Sequence, residues 1–265
     1  MASVIGKLRG FLRTVSFAIV TACAFVLHVV TVPAARLLGL PWARWSGRVF
    51  RTWSRIVLRL LGARVEVAGP PPAAPFFMVS NHLSYVDIAV LASQLDCVFV
   101  AKAEIADWPI FGPLCKAVGT IFVDRTSKRD IPRVSDLMKR TMKRGKGIVL
   151  FPEGTSTEGA TVLKFKPALL EPAASAELPV VTATLTYHTP PATEPARLAV
   201  CWWGDMTFTH HVRALFRHPG FVARIAFGEN AVRNRDRKIL AAELWEQVRE
   251  RFEPVTGSEA GPSQN

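Results

Sequence analysis

The chain has 265 residues, of which 49% are hydrophobic and 20% charged, and this balance excludes disorder as its main state. Lys and Arg outnumber Asp and Glu by 33 to 21, yet ten of the basic residues and none of the acids fall in residues 1–65, so the rest of the chain is nearly balanced. A nucleic-acid binder carries its basic patch on the folded domain. A surplus confined to an apolar N-terminal segment points instead to an anionic membrane surface.

Val15–Val32 is an apolar run of 18 residues, close to the ~20 that a membrane span needs. It is long for a signal-peptide core, and Val32-Pro33-Ala34-Ala35 is a weak cleavage site. Lys7, Arg9 and Arg13 precede it and Arg36, Arg44, Arg48 and Arg51 follow, so charge suits a helix that enters one leaflet and returns as well as it suits a span. Arg44, Arg48, Arg51, Arg55 and Arg59 then form one stripe of a predicted helix, beside an apolar stripe of Trp45, Val49, Trp53, Ile56 and Leu60. Tryptophans next to a basic stripe are expected of a helix lying in a lipid interface; the alternative is a helix packed on the domain with solvated arginines. Gly69–Pro75, with its three consecutive prolines, breaks regular structure. The organisation read from this is a membrane-associated helical segment over 1–68, a Pro-rich linker over 69–75, a main domain over 76–254 and a flexible tail over 255–265.

Within the main domain, Phe76–Val79, Cys97–Ala101, Thr120–Val123, Gly147–Phe151, Pro179–Thr186, Leu198–Trp203 and Val222–Phe227 read as strands. Helical patterns cover Asp87–Leu95, Ile131–Arg144, Ala168–Ala176 and Arg235–Phe252. The alternation predicts an α/β fold: a mixed, largely parallel sheet flanked by helices, with sites in loops beyond the carboxyl ends of strands. Cys23, Cys97, Cys115 and Cys201 have no metal-ligand spacing and read as buried free thiols of a reducing compartment.

Two loops carry the chemistry. Asn81-His82-Leu83-Ser84-Tyr85-Val86-Asp87 follows the first strand of the domain. On one unbroken helix, residues five apart diverge by about 140°, so His82 and Asp87 meet only if the chain turns first. Ser84 as N-cap with Asp87 at the third helical position supplies that turn. Asp87 is then either only a cap, or the group that holds one ring nitrogen of His82 and leaves the other as a general base. The second loop, Phe151-Pro152-Glu153-Gly154-Thr155-Ser156-Thr157, ends the 147–151 strand, with Lys164 and Lys166 close behind. Such a turn can bind an anionic head group or be an ordinary strand–helix connection. A nucleophile elbow, P-loop, dinucleotide fingerprint and HExxH motif are all missing from the sequence.

Taken together, these loops resemble those of the glycerolipid acyltransferases, the family of 1-acylglycerol-3-phosphate acyltransferases. Asn81-His82-x-Ser84-x-x-Asp87 matches its NHxSxxD block and Phe151–Thr155 its FPEGT block. Lys102, Glu104, Pro109, Gly112, Gly119 and Phe122-Val123-Asp124-Arg125 sit in order between them, and Pro179-Val180-Val181 resembles the last block. The resemblance covers Phe76 to Tyr187. It implies acyl transfer from acyl-CoA or acyl carrier protein to a lysolipid hydroxyl, giving phosphatidic acid where the acceptor is 1-acylglycerol-3-phosphate. His82 and Asp87 are implied to be catalytic, and Arg125, Glu153, Gly154 and Thr155 to hold the head group. It further implies no metal or bound cofactor, membrane lipids as partners, and a place on the cytoplasmic face of the cell inner membrane. Three positions depart from the family. Ser156 stands where an arginine is usual, Pro167-Ala168 follow Phe165-Lys166, and Thr182 replaces a proline. With Val162-Leu163-x-Phe165-Lys166 this resembles the lyso-ornithine lipid acyltransferase branch, whose acceptor has no glycerol phosphate. Lys102, Lys164 and Lys166, with Arg125, are the candidates to replace the missing arginine. A silent lipid binder and a thioester hydrolase are the readings from other classes.

Overall fold

The computed structural model describes residues 4–124 and 130–255. β1 (Ala63–Ala68), β2 (Phe77–Ser80), β3 (Cys97–Lys102), β4 (Ile121–Val123), β5 (Gly147–Leu150), β6 (Val180–His188) and β7 (Phe221–Phe227) form one sheet in the order β1-β7-β6-β2-β5-β3-β4. The strands from β6 to β4 run parallel; β7 is antiparallel to β6, and β1 lies parallel on its far side. This is the expected α/β class with a mixed, mostly parallel sheet.

The short central strands are buried along their whole length, as parallel strands covered on both faces must be. Alternate side chains go to opposite layers. Phe77, Val79, Val98, Ile148 and Leu150 join the core under α5 (Asp130–Lys143), α6 (Pro167–Ser175) and α9 (Arg237–Glu250). Met78, Phe99 and Val149 join the core under α2 (Trp42–Leu60) and α3 (Val86–Gln94). Each fully buried side chain of this size contributes about 1.5–3 kcal/mol, so the two layers together clamp the loops at the strand ends.

Outside α2 lies α1 (Val4–Leu37), which also crosses α8 (Phe208–Arg217) and touches α4 (Phe111–Ala117). It is longer than the apolar run within it and holds Pro33. By length and composition α1 is apolar enough to cross a membrane, and Ile5, Phe11, Ile19, Val26 and Val30 face outward. Two of the α2 tryptophans hydrogen-bond to α1, Trp45 staying exposed. Trp53 Nε1 donates to Thr21 Oγ1 at 3.0 Å and Trp45 Nε1 to Thr31 Oγ1 at 2.6 Å, while Val49, Val57 and Leu58 are buried on the domain.

Several expectations are corrected. Residues 63–68, read as part of the N-terminal segment, are an edge strand, and Glu66 pairs with Arg224 of β7 at 3.1 Å. A six-residue edge strand with Arg64 and Glu66 on it lacks the apolar run of its neighbours. Leu198–Trp203 is not a strand. α7 (Ala196–Ala199) is closed by Cys201 N–H donating to Ala196 O at 3.0 Å, and an irregular stretch follows. A short apolar run reads alike in helix and strand. Val255, assigned to the tail, is buried, and its N–H donates to Gly159 O at 2.8 Å; residues 256–265 lie outside the described residues. Cys23 is exposed and Cys115 half-buried, whereas Cys97 and Cys201 are buried and all four are free.

Candidate active site

Both loops singled out by their residues leave the carboxyl ends of adjacent parallel strands, β2 and β5, and so stand side by side. Asn81 continues the β2–β6 ladder with its side chain. Its Nδ2 donates to Leu185 O at 2.9 Å and its Oδ1 accepts from Leu185 N–H at 2.7 Å. The chain then turns into α3, and Asp87 Oδ2 accepts from His82 Nδ1 at 2.7 Å, Leu83 N–H at 2.7 Å and Ser84 N–H at 3.0 Å. Its Oδ1 accepts from Tyr187 Oη at 2.5 Å. The helix starts one residue later than expected, with Tyr85 at the N-cap and Ser84 Oγ accepting from Val86 N–H at 3.3 Å, and the Asp87 carboxylate ties down the turn and the imidazole together. Asp87 is fully buried, and four donors offset the desolvation of its charge.

A carboxylate only accepts, so Nδ1 donates to it, and in the neutral form of the ring Nε2 carries the lone pair. The ring stacks on Phe151, centroids 4.1 Å apart and planes 14° apart, and its side chain is 22% exposed. Nε2 makes no hydrogen bond among the described residues. A ring fixed on one side and open on the other can take a proton from a group brought to that opening.

The FPEGT loop supports this histidine more than it faces outward. Glu153 is 1% exposed; its Oε1 accepts from His82 N–H at 2.7 Å and its Oε2 from Leu163 N–H at 2.8 Å. Burial pushes its carboxyl up to about 7 against the lowering effect of those two N–H groups, with the Asp87 charge adding to the rise. Gly154 has φ of 75°, a left-handed turn that a side chain would strain. Thr155 is exposed, Thr157 N–H donates to His82 O at 3.0 Å, and Ser156 Oγ donates to Trp202 O at 2.5 Å. Trp202 N–H in turn donates to Leu83 O at 2.8 Å, so three loops are laced through backbone groups.

The acyltransferase family model matches residues 64–186, which span both loops. The lyso-ornithine lipid O-acyltransferase of Brucella abortus (strain 2308) is 31% identical over 250 residues, covering 89% of this chain and 93% of that protein. The chain belongs to the acyltransferase family. A 1-acyl-sn-glycerol-3-phosphate acyltransferase of Neisseria meningitidis is 33% identical over 174 residues, 62% of this chain and 68% of the relative. The crystal structure of the 1-acyl-sn-glycerophosphate acyltransferase PlsC of Thermotoga maritima shares the fold, with a TM-score of 0.62 at 17% identity over 92% of this chain and 98% of that one.

In this acyltransferase the expected head-group residues do not form one set. Glu153 is buried, with both carboxylate oxygens on loop N–H groups. The Ser156 hydroxyl is likewise taken by Trp202 O. Lys164 Nζ sits 3.1 Å from the centroid of the Trp245 ring on α9, a cation–π contact that turns it away. Lys102 ends β3 at the same edge of the sheet as both loops and is exposed; Lys166, exposed at the start of α6, donates its N–H to Pro152 O at 2.9 Å and accepts from Leu169 N–H at 3.0 Å through its carbonyl. Arg125 lies outside the described residues. Tyr187 is missing from the residues picked from the sequence: it is 100 positions from Asp87, and a tyrosine within an apolar strand gives no local sign of its partner. An aromatic group also borders the site, with Tyr85 Oη 2.8 Å from His211 Nδ1 and Phe208 packed on Tyr85, Trp202 and Phe111. Burial pushes the Cys97 thiol up to about 12 and raises that of Cys201, so both stay protonated and unsuited to attack a thioester.

Proposed function

We propose that this acyltransferase moves a fatty acyl group from acyl-CoA or acyl carrier protein to the free hydroxyl of a lysolipid, with His82 as general base and Asp87 orienting it. The observation that carries the reading is the His82 ring, held at Nδ1 by a buried, four-fold hydrogen-bonded carboxylate and open at Nε2. Nε2 takes the hydroxyl proton as the acceptor oxygen bonds to the thioester carbon. Collapse of the tetrahedral adduct breaks the carbon–sulfur bond, and the imidazolium returns its proton to the departing thiolate. No acyl-enzyme is formed, and the transfer as written calls on no resident metal or cofactor.

For the acceptor, a lyso-ornithine lipid is the reading we favour, with 1-acylglycerol-3-phosphate as the second. The Ser156 hydroxyl is spent on Trp202 O and Lys164 on Trp245, which leaves few local groups to grip a phosphate dianion. The long match to the Brucella relative named for lyso-ornithine lipid supports the same choice. Lys102, Lys166 and Arg125 are the remaining candidates for the head group, with Thr155 at the loop tip. The exposed apolar length of α1 supports a membrane-bound enzyme, and a donor made in the cytosol supports an active site on that face. Incubating purified enzyme with acyl-CoA or acyl carrier protein and both lysolipids in competition, then weighing the products by mass spectrometry, tests this. Ornithine lipid as main product supports it. Phosphatidic acid alone would move the reading to the second acceptor, and thiol release without any acceptor would mean a hydrolase.

A further inference from the structure

At the opposite end of the sheet from His82, where β2, β3 and β5 begin, a cleft of about 550 Å³ opens between α2 and the turn after α5. Arg44, Arg48 and Arg51 line it from one face of α2, Lys143 and Arg144 from the end of α5. The only acid in the lining, Asp96, is engaged by Lys146 Nζ at 3.2 Å and closes against Gly47, where a Cβ would stand 2.1 Å from Asp96 Oδ1. None of the five cations has an acidic partner among the described residues. Six arginines elsewhere, Arg133, Arg197, Arg224, Arg235, Arg237 and Arg249, each hold a carboxylate.

Helix electrostatics accounts for only part of this cluster. Lys143 and Arg144 complement the negative C-terminal end of α5. Arg44 and Arg48, however, stand in the first two turns of α2, where the dipole is positive and the first turn has no acid. Arg51 Nε is buried without a hydrogen-bond partner among the described residues. The groove is thus short of an anion by several charges. Beside it, Arg36 and Arg144 lie over the Trp42 ring at 4.0 and 5.1 Å, and the α1–α2 turn exposes Leu37, Leu38 and Leu40. Forked cations next to an apolar tip complement the two halves of an amphiphile.

We propose that this cleft binds the phosphate-bearing head of an anionic phospholipid of the membrane, a lipid separate from the one acylated, with its chains against the exposed leucines of the α1–α2 turn. The four-residue strands β2 and β5, about 13 Å long at 3.3 Å per residue, separate this cleft from the His82 loop, so the bound lipid anchors and orients the enzyme and does not react.

The test is flotation of the full chain with phosphatidylcholine vesicles, with and without phosphatidylglycerol, in the absence of acyl donor, so that the result does not depend on acyl transfer. Arg44→Gln with Arg48→Gln, two exposed positions whose melting curve should stay that of the wild type, is expected to weaken binding to phosphatidylglycerol vesicles about tenfold or more. Arg48→Lys with Arg51→Lys keeps the charge but loses the planar forks, and should weaken it about fivefold; Arg59→Lys, on the same helix outside the cleft, should bind like the wild type. Unchanged binding in the double lysine variant would overturn the site, since the attraction would then be diffuse surface charge. A second arm adds free coenzyme A to lipid-free protein. Saturable binding that the double glutamine variant abolishes would overturn the lipid assignment and give the cleft to the donor's phosphates.

Discussion

At the carboxyl ends of β2 and β5 two buried acids, Asp87 and Glu153, have every oxygen matched by a donor, whereas at the amino ends of the same strands Arg44, Arg48, Arg51, Lys143 and Arg144 face one another with their one acid engaged elsewhere. The first end is complete before any substrate arrives: its hydrogen bonds set the His82 ring and lace the loops. The second is incomplete without a counter-charge. Preorganised chemistry needs satisfied groups, and a recognition surface needs unsatisfied ones. The same sheet supplies both because its loops at opposite ends are independent.

Four experiments break or sharpen that contrast. The largest effect is expected from His82→Ala, which should lower turnover by about 10²–10⁴-fold while leaving thermal stability nearly unchanged, measured as thiol release in the presence of lysolipid. Wild-type turnover in the purified variant would remove His82 from the mechanism. Glu153→Gln comes next, through pH. The folded-state carboxyl of Glu153 is raised to about 7 from an ordinary 4.5, so the folded chain holds that proton more tightly than the unfolded chain. The associated stability is fully present below pH 4.5 and lost as pH rises through 7, a change of about 3 kcal/mol across the window. Chemical denaturation at several pH values should show this slope in the wild type and its loss in Glu153→Gln; parallel slopes in the two proteins would contradict it.

Tyr187→Phe leaves Asp87 Oδ1 buried without its donor. It should cost roughly 1–3 kcal/mol of stability and lower kcat several-fold with KM little changed, read from urea denaturation and steady-state kinetics. A variant as stable as the wild type would mean that water replaces the hydroxyl. The smallest effect is expected from Ser156→Ala, which removes one neutral hydrogen bond to Trp202 O, about 1 kcal/mol. It should loosen the contact between the FPEGT loop and the 202–206 stretch, seen as faster hydrogen exchange at Trp202, without changing the preference between the two lysolipids. A changed preference would return Ser156 to the head-group site.

Much of the fold was legible because it is local. Six of the seven strands and the helices over 86–94, 130–143, 167–175 and 237–250 appear within a residue or two of where their apolar patterns put them. The misses share a cause. β1 is a strand only because β7 lies beside it, and 196–203 is helical and irregular because its apolar residues fill a core from a turn. On α2 the stripes were correctly periodic, but periodicity does not say what covers a face: Trp45 and Trp53 hydrogen-bond to α1, and Arg44, Arg48 and Arg51 line a cleft shared with α5.

The sequence by itself determined the residues that act within one turn of chain. His82, Ser84 and Asp87 lie close enough for a cap and a ring contact to form locally, and Pro152 with Gly154 shape their loop through their own backbone restrictions. Tertiary structure decided everything that joins distant segments. Glu153 reaches the His82 N–H across 71 positions, Tyr187 reaches Asp87 across 100, and Asn81 clasps Leu185 across 104. It also turned Glu153 onto the His82 and Leu163 N–H groups and Ser156 onto Trp202 O. The physical reason is that burial and hydrogen-bond satisfaction are properties of a neighbourhood: a carboxylate or hydroxyl points to whichever donor or acceptor the packed sheet brings within 3 Å, and its own stretch of sequence does not contain that partner.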